Sequence, residues 1–304
     1  MSWLRRTVVR LALLAGVALA VPAGSVHPTT ISLTTIGTAK AVDAGEDTVW
    51  VLALGSEAAG GADVTTGLTD AIQLIGVEPG TGRAVAVGLP RDLWVDLPQG
   101  FARLNTALQD YGPEEVARQV GDLTGIEPDV VLVTGFDGFL TMMGTLGDVV
   151  VDSPLDRFTT EEGGVVIRRG ATTLDAEQAL LYARTRTTLP DGSDFARVAN
   201  HQRLLLAALE RLKSAEDEEG FLESVALSAL AGLDTDMTPG AVYRLVQSLT
   251  TIEPSRTAAC VVGGTFERIG VADVVIPDRE QARAIGRDAL DDMRLQGGCG
   301  DSAG

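Results

Sequence analysis

Cysteine and histidine are almost missing from this chain, with two of each in 304 residues. His27 and His201 stand far apart, and no CxxC or Cys/His cluster occurs, which argues against a zinc site. Basic residues are scarce too: 24 Lys and Arg face 42 Asp and Glu, a formal net charge of −18. A chain this acidic offers no extended basic face to duplex nucleic acid, and most of its charge simply favours solubility. Aromatic residues make up 4%. There is no P-loop, no Gly-x-Ser-x-Gly elbow and no dinucleotide fingerprint.

What is present begins at the N-terminus. Arg5, Arg6 and Arg10 precede an apolar run over 11–21, followed by Pro22 and Ala23. This reads as a secretory signal over 1–23, or as an uncleaved membrane anchor if the span starts at Thr7. Either way the rest of the chain is expected outside the cytoplasm. There Cys260 and Cys299 are most simply one disulfide. Residues 24–46 read as a linker with a possible strand near 31–33. The main domain is expected over 47–214. An acidic break at 216–220 marks off an α-rich C-terminal appendage, 215–304.

The apolar runs at 48–55, 70–78, 83–89 and 129–134 predict strands, the second and third forming a hairpin around Pro79-Gly80-Thr81-Gly82. Further strands are expected at 149–152 and 271–276, with a hairpin near 165–170. Helices are predicted over 113–124, with Pro113 in the first turn, and over 136–146, with Phe139, Leu140 and Met143 inward. Others follow at 176–184, capped by Asp175, and at 197–213, 221–231, 239–248 and 278–295. The fold class is α/β, a mixed central sheet flanked by helices.

Against the acidic background, arginines gather from Ala183 to Gln202. Arg184 and Arg186 are two apart, so an extended chain points them the same way, and Arg197 opens a helix. Arg91 follows the strand ending at Leu89-Pro90, where open α/β sheets tend to bind ligands. The guanidinium fork suits phosphate or pyrophosphate. An arginine-rich helix end and a surface pair between Arg91 and Asp92 are the plainer readings. Glu57 and Asp70 bracket a Gly-rich loop and could together hold a magnesium ion, or could be two solvated carboxylates. His201 shares a helical face with Arg197 and could contact a phosphate or act as a base. Asp194 is expected to cap that helix or to steady Arg186.

In order along the chain stand Leu54-Gly55-Ser56-Glu57, Thr69-Asp70, Leu89-Pro90-Arg91-Asp92, Leu104-Asn105, Tyr111-Gly112-Pro113, Phe136-Asp137-Gly138-Phe139, Tyr182-Ala183-Arg184-Thr185-Arg186 and Asp194-Phe195-Ala196-Arg197. This series resembles the LytR–CpsA–Psr family of bacterial envelope proteins, from about residue 49 to 212. The resemblance implies a phosphotransferase at the extracytoplasmic face of the membrane. Such a protein moves a glycopolymer from an undecaprenyl-pyrophosphate carrier to peptidoglycan with magnesium as cofactor. Carried over by position, Glu57 and Asp70 would be metal ligands, and Arg91, Arg184, Arg186 and Arg197 would hold the pyrophosphate. Asp92 or His201 would assist deprotonation, and Phe136, Phe139, Leu140 and Met143 would line a lipid pocket, although core packing explains these four equally well.

The chain departs from the family pattern at three points. Glu57 stands where Asp is usual. Leu68-Thr69-Asp70 lacks an arginine. Arg197-Val198-Ala199-Asn200-His201-Gln202 replaces Arg-x-x-Arg-Gln-Gln. A polyprenyl-phosphate binder that no longer turns over, or an envelope scaffold, is the alternative these changes leave open. Transcriptional regulation is a third reading, opposed by the acidity and the export signal.

Overall fold

The computed structural model describes residues 31–35, 48–58, 60–160, 165–186, 194–230, 233–235, 238–295 and 299. The predicted leader, 1–23, lies outside them, as does most of the predicted linker. Among the described residues no helix is long and apolar enough to cross a membrane.

In chain order the first elements are strands β1 (Ile31–Thr35), β2 (Val49–Ser56), β3 (Thr69–Glu78), β4 (Arg83–Gly88), β5 (Trp94–Leu97) and β6 (Gly100–Arg103). Helices α1 (Ala107–Tyr111) and α2 (Pro113–Thr124), strand β7 (Val130–Thr134) and helix α3 (Phe136–Leu146) follow. Next come the hairpin β8 (Val149–Thr159) and β9 (Val166–Leu174), then α4 (Ala176–Arg184), α5 (Asp194–Ser214) and α6 (Phe221–Leu230). The chain closes with β10 (Leu233–Thr235), α7 (Pro239–Thr250), β11 (Thr257–Val261), β12 (Gly264–Ile269), β13 (Ala272–Pro277) and α8 (Arg279–Asp292).

Local chemistry sets several of these limits. Pro113 sits at the start of α2, where its missing N–H costs nothing, and Glu114 and Glu115 complement the helix dipole. Asp175 and Gln178 form a reciprocal capping box that fixes the start of α4.

Seven strands form one sheet in the order β10-β1-β7-β2-β3-β4-β11. β2 runs parallel to β7 and β4 to β11, while β2–β3 and β3–β4 are antiparallel, so the sheet is mixed as expected. One face packs Leu52, Leu54, Ile72, Leu74, Val131 and Val133 against Val116, Val120 and Leu123 of α2 and Ile285 of α8. Each such fully buried aliphatic contributes about 1.5–3 kcal/mol. Helix α5 crosses the other face. It can approach closely because β4 ends in Gly88, where a Cβ would lie 2.2 Å from Val198 Cγ1. A second apolar cluster joins Met143, Val149, Ile167, Tyr182 and Leu204, drawn from α3, the β8–β9 hairpin, α4 and α5.

The residues beyond 214 are not a separate appendage. β11 extends the central sheet from β4, and β10 pairs with β1 at the opposite edge. Cys260, Val262, Val275, Ala282, Ile285 and Ala289 belong to the same core as β2 and β3. The acidic break at 216–220 is only the turn between α5 and α6.

Cys260 of β11 is bonded to Cys299 beyond α8, the disulfide expected from the sequence. Its sequence separation of 39 sets the chain entropy it withholds from the unfolded state. Cys299→Ser is therefore expected to cost about 4 kcal/mol, read by urea unfolding without reductant. Equal stability of the variant and the parent would count against that role.

Candidate functional site

The two carboxylates come from adjoining strand ends. Glu57 directly follows β2, and its N–H donates to Leu68 O at 2.9 Å, closing the Gly-rich loop. That closure needs Gly67, where a Cβ would meet Ala58 N at 2.3 Å. The β2–β3 ladder pairs Gly55 with Ala71 but Ser56 with Thr69, so Asp70 is the extra residue of a β-bulge. A bulge re-aims its side chain and frees its backbone from the ladder. The freed Asp70 carbonyl accepts from Arg197 Nη2 at 3.0 Å.

Arg91 lies three residues past β4. Its carbonyl accepts from Asn105 N–H at 3.0 Å, and its own N–H donates to Asp194 Oδ2 at 2.7 Å. Its Nη1 donates to Glu57 Oε1 at 3.1 Å and to Asp70 Oδ1. Arg197, in the first turn of α5, pairs with Asp194 Oδ1 at 2.5 Å and with Asp70 Oδ1 at 3.3 Å. Arg184 ends α4, with its guanidinium 5.0 Å over the Phe136 ring. Thr185 is extended and buried, so Arg184 and Arg186 flank it on the side away from the core. Glu57, Asp70, Arg91, Leu181, Arg184, Arg186 and Arg197 line one cavity of about 170 Å³. Five separate stretches of chain thus bring four arginines and two carboxylates together.

The remaining sequence-predicted residues are elsewhere. Asp92 is outside the lining and faces Arg103, at 3.4 Å. His201 is buried, with Nε2 2.8 Å from Ala183 O and Nδ1 lacking a partner among the described residues. The ring therefore carries its hydrogen on Nε2 and anchors the end of α4 just before Arg184. Phe136 lies at the rim under Arg184, Leu140 is half-buried, and Phe139 and Met143 pack into the second apolar cluster. Asn200, where the family pattern has arginine, is buried and accepts from Tyr182 Oη at 3.0 Å and Arg203 Nη1 at 2.9 Å. Asp194 does not line the cavity; it holds Arg91 and Arg197. Sequence reasoning missed the Arg91–Asp194 contact because it joins residues 103 positions apart.

The electrostatics follow from this crowding. The Glu57 carboxyl is pushed up to about 7, first by its hydrogen bond with Asp70, then by burial and by the Asp70 charge, with Arg91 pulling the other way. Burial acts to raise Asp70 as well, but the Glu57 hydrogen bond and the charges of Arg197 and Arg91 outweigh it and hold it below its ordinary value. Of the two carboxyls, the more exposed Glu57 is therefore the more readily protonated. Oxygen pairs of this kind suit a hard cation. Among the described residues no group of three or more His, Cys, Asp or Glu is arranged to hold a metal, so protein atoms alone make no full cage.

Burial, and then the Arg197 charge, lower His201 to about 4. The folded state keeps the ring neutral, whereas an unfolded histidine protonates near 6.5. Stability is thus complete above about pH 6.5 and is lost as pH falls toward 4, by about 2–3 kcal/mol between pH 7 and 4.5. His201→Gln is expected to remove that share of the acid sensitivity in denaturation measured at the two pH values; an unchanged slope would refute the assignment.

Comparison with known proteins adds to this geometry. The sequence model of the LytR_cpsA_psr family matches residues 26–288, well past residue 214. The polyisoprenyl-teichoic acid–peptidoglycan teichoic acid transferase TagT of Bacillus subtilis (strain 168) is 30% identical over 183 residues, covering 58% of this chain and 56% of that protein. The chain spans about half the length of the curated relatives it matches. A crystal structure of B. subtilis TagV matches 81% of this chain and 98% of its own, with TM-score 0.67 and 22% identity. The LytR-CPS2A-psr family protein YwtF (TagT) with bound octaprenyl pyrophosphate lipid matches 85% and 95%, with TM-score 0.64 and 20% identity. These structures share the fold, and the family match takes in every strand of the central sheet and every residue lining the cavity: the chain belongs to the LytR_cpsA_psr family.

Proposed function

We propose that this chain transfers a glycopolymer from a polyprenyl-pyrophosphate carrier to peptidoglycan at the extracytoplasmic face of the cell membrane. The observation that carries the reading is the convergence of Arg91, Arg184, Arg186 and Arg197 on one cavity in a chain of net charge −18. In the reaction an acceptor hydroxyl oxygen attacks the phosphorus that bears the polymer. The bond from that phosphorus to the bridging oxygen breaks, polyprenyl phosphate leaves, and the acceptor hydroxyl gives up its proton. The product is a phosphodiester.

The four arginines bind the two phosphates and offset the charge that builds on the bridging oxygen. A cavity of about 170 Å³ is small beside typical ligand pockets of roughly 300–1,000 Å³, so it suits the charged headgroup alone. The lipid tail would leave along α3, past Phe136 and Leu140, with Phe139 and Met143 behind them. Glu57 and Asp70 would hold magnesium, with water and phosphate oxygens as its other ligands. When bound, that ion would polarise phosphoryl oxygens. The predicted N-terminal leader or anchor fits an acceptor in the cell wall.

The departures at residues 200 and 201 bear on the alternative, a binder without turnover. Both side chains are buried between α4 and α5, outside the cavity lining. The changes therefore leave the four cavity arginines in place, which favours the enzyme.

Arg184→Ala is the selective test, because Arg184 is exposed and its replacement leaves the core untouched. Its unfolding free energy is expected to stay within about 1 kcal/mol of the parent. Release of polyprenyl phosphate from a polyprenyl-pyrophosphate-linked saccharide is expected to fall about 100-fold. Lipid binding without turnover in the parent, weakened by Arg184→Ala, would favour the binder. Full turnover by the variant would sink the assigned role.

A further inference from the structure

We infer that Asp194 is a positioning residue that fixes the spacing of Arg91 and Arg197 across the cavity. The inference rests on the transferase reading and extends it to a side chain that never meets the substrate. Asp194 is 4% exposed and does not line the cavity. Each of its oxygens is committed. Oδ2 accepts the backbone N–H of Arg91 at 2.7 Å, and Oδ1 accepts Arg197 Nη2 at 2.5 Å. Oδ1 also lies 4.0 Å from Arg91 Nε, which has no hydrogen-bond partner among the described residues.

These contacts do what no strand or helix does here. Arg91 lies beyond the end of β4, so its N–H has left the sheet ladder. Its backbone is joined directly to α5 by this carboxylate, while its guanidinium meets that of Arg197 at Asp70. Helix α5 in turn is fixed to the sheet by Gln202, which donates to Ala86 O at 3.2 Å and to Cys260 O at 2.7 Å. Asp194 transmits that rigid placement to Arg91 and, through the same group, orients the Arg197 fork. Two guanidinium groups act on one pyrophosphate only if their separation suits it, and misplacement by about an ångström can cost 100-fold in rate.

The test is a double-mutant cycle in the full chain: Asp194→Asn, Arg197→Ala and both together. Turnover is measured with a polyprenyl-pyrophosphate-linked saccharide, binding with farnesyl pyrophosphate, and folding by thermal unfolding. Asp194→Asn is expected to lower kcat at least about tenfold with KM changed less than about threefold. Adding it to Arg197→Ala is expected to cost less than about a further twofold, because the spacing Asp194 fixes no longer matters once one of the two guanidinium groups is gone. A purely structural role would instead multiply the two losses in turnover per folded molecule, and that result would overturn the inference alone. If Asp194→Asn does not fold, Asp194→Glu carries the same cycle, keeping the charge while displacing its oxygens. If the parent binds farnesyl pyrophosphate without turnover, dissociation constants replace kcat in the cycle with the same criterion. A parent that neither binds nor turns over would overturn the transferase reading, and this inference with it.

Discussion

Arg197→Ala is expected to strip the protein of both its chemistry and a large part of its stability. Arg197 is 3% exposed and carries three polar contacts: Asp194 at 2.5 Å, the Asp70 carboxylate at 3.3 Å and the Asp70 carbonyl at 3.0 Å. Its removal leaves the buried Asp194 with Arg91 as its one basic partner among the described residues and the bulge carbonyl without its Arg197 donor. Breaking a buried pair in this way costs about 3–5 kcal/mol. Turnover per folded molecule is expected to drop about 10²–10³-fold, the scale seen when a preorganised donor to developing charge is lost. Urea unfolding at pH 7 and the saccharide-transfer assay read the two effects separately. Arg197→Lys should fall between, since it keeps the charge but not the planar fork. Parental stability and turnover in Arg197→Ala would show the network to be incidental.

Asp70→Asn is expected to have the second largest effect, by a different route. Asp70 is the meeting point of the site, paired with both Arg91 and Arg197 and raising the carboxyl of Glu57. The amide keeps the shape but loses the charge that offsets two guanidinium groups. Turnover is expected to fall about 100-fold or more and to lose any dependence on added magnesium. Titration calorimetry should show magnesium binding weakened or gone. The Glu57 carboxyl, no longer raised by the Asp70 hydrogen bond and charge, should titrate lower than about 7, readable by carboxyl-carbon NMR. A variant that still responds to magnesium as the parent does would remove Asp70 from the cation site.

The parts of this fold that could be read in the sequence are those with local causes. Pro113, Asp175 and the runs of period 3.6 fix helices at 113–124 and 176–184 to the residue, and the Gly-rich turn at 79–82 marks the β3–β4 hairpin. The cavity arginines were also legible, because each follows the end of an element or opens one. What could not be read depends on distant partners. β11 is a short Thr-Ala-Ala-Cys-Val edge strand without a strong apolar pattern. Its register against β4 exists only once residues 257–261 return to 84–88. The hairpin β5–β6 and the strand β12 are likewise short, with mostly exposed or half-exposed side chains on β6 and β12, whereas β13 was legible as the strand at 271–276. The acidic run at 216–220 looked like a boundary because composition shifts there, yet it is a surface turn over a continuous core. The bulge at Asp70 and the reach of Asp194 to Arg91 leave no trace in either sequence neighbourhood, since both are properties of two strands or two elements together.

The central claim is tested most directly by one assay on residues 24–304. Release of polyprenyl phosphate from a polyprenyl-pyrophosphate-linked saccharide is measured with a peptidoglycan acceptor present, with magnesium and with chelator. The account predicts magnesium-dependent release with transfer of the saccharide to the acceptor, both lost in Arg184→Ala. Absence of release under every condition, with the protein folded and its disulfide intact, would contradict it.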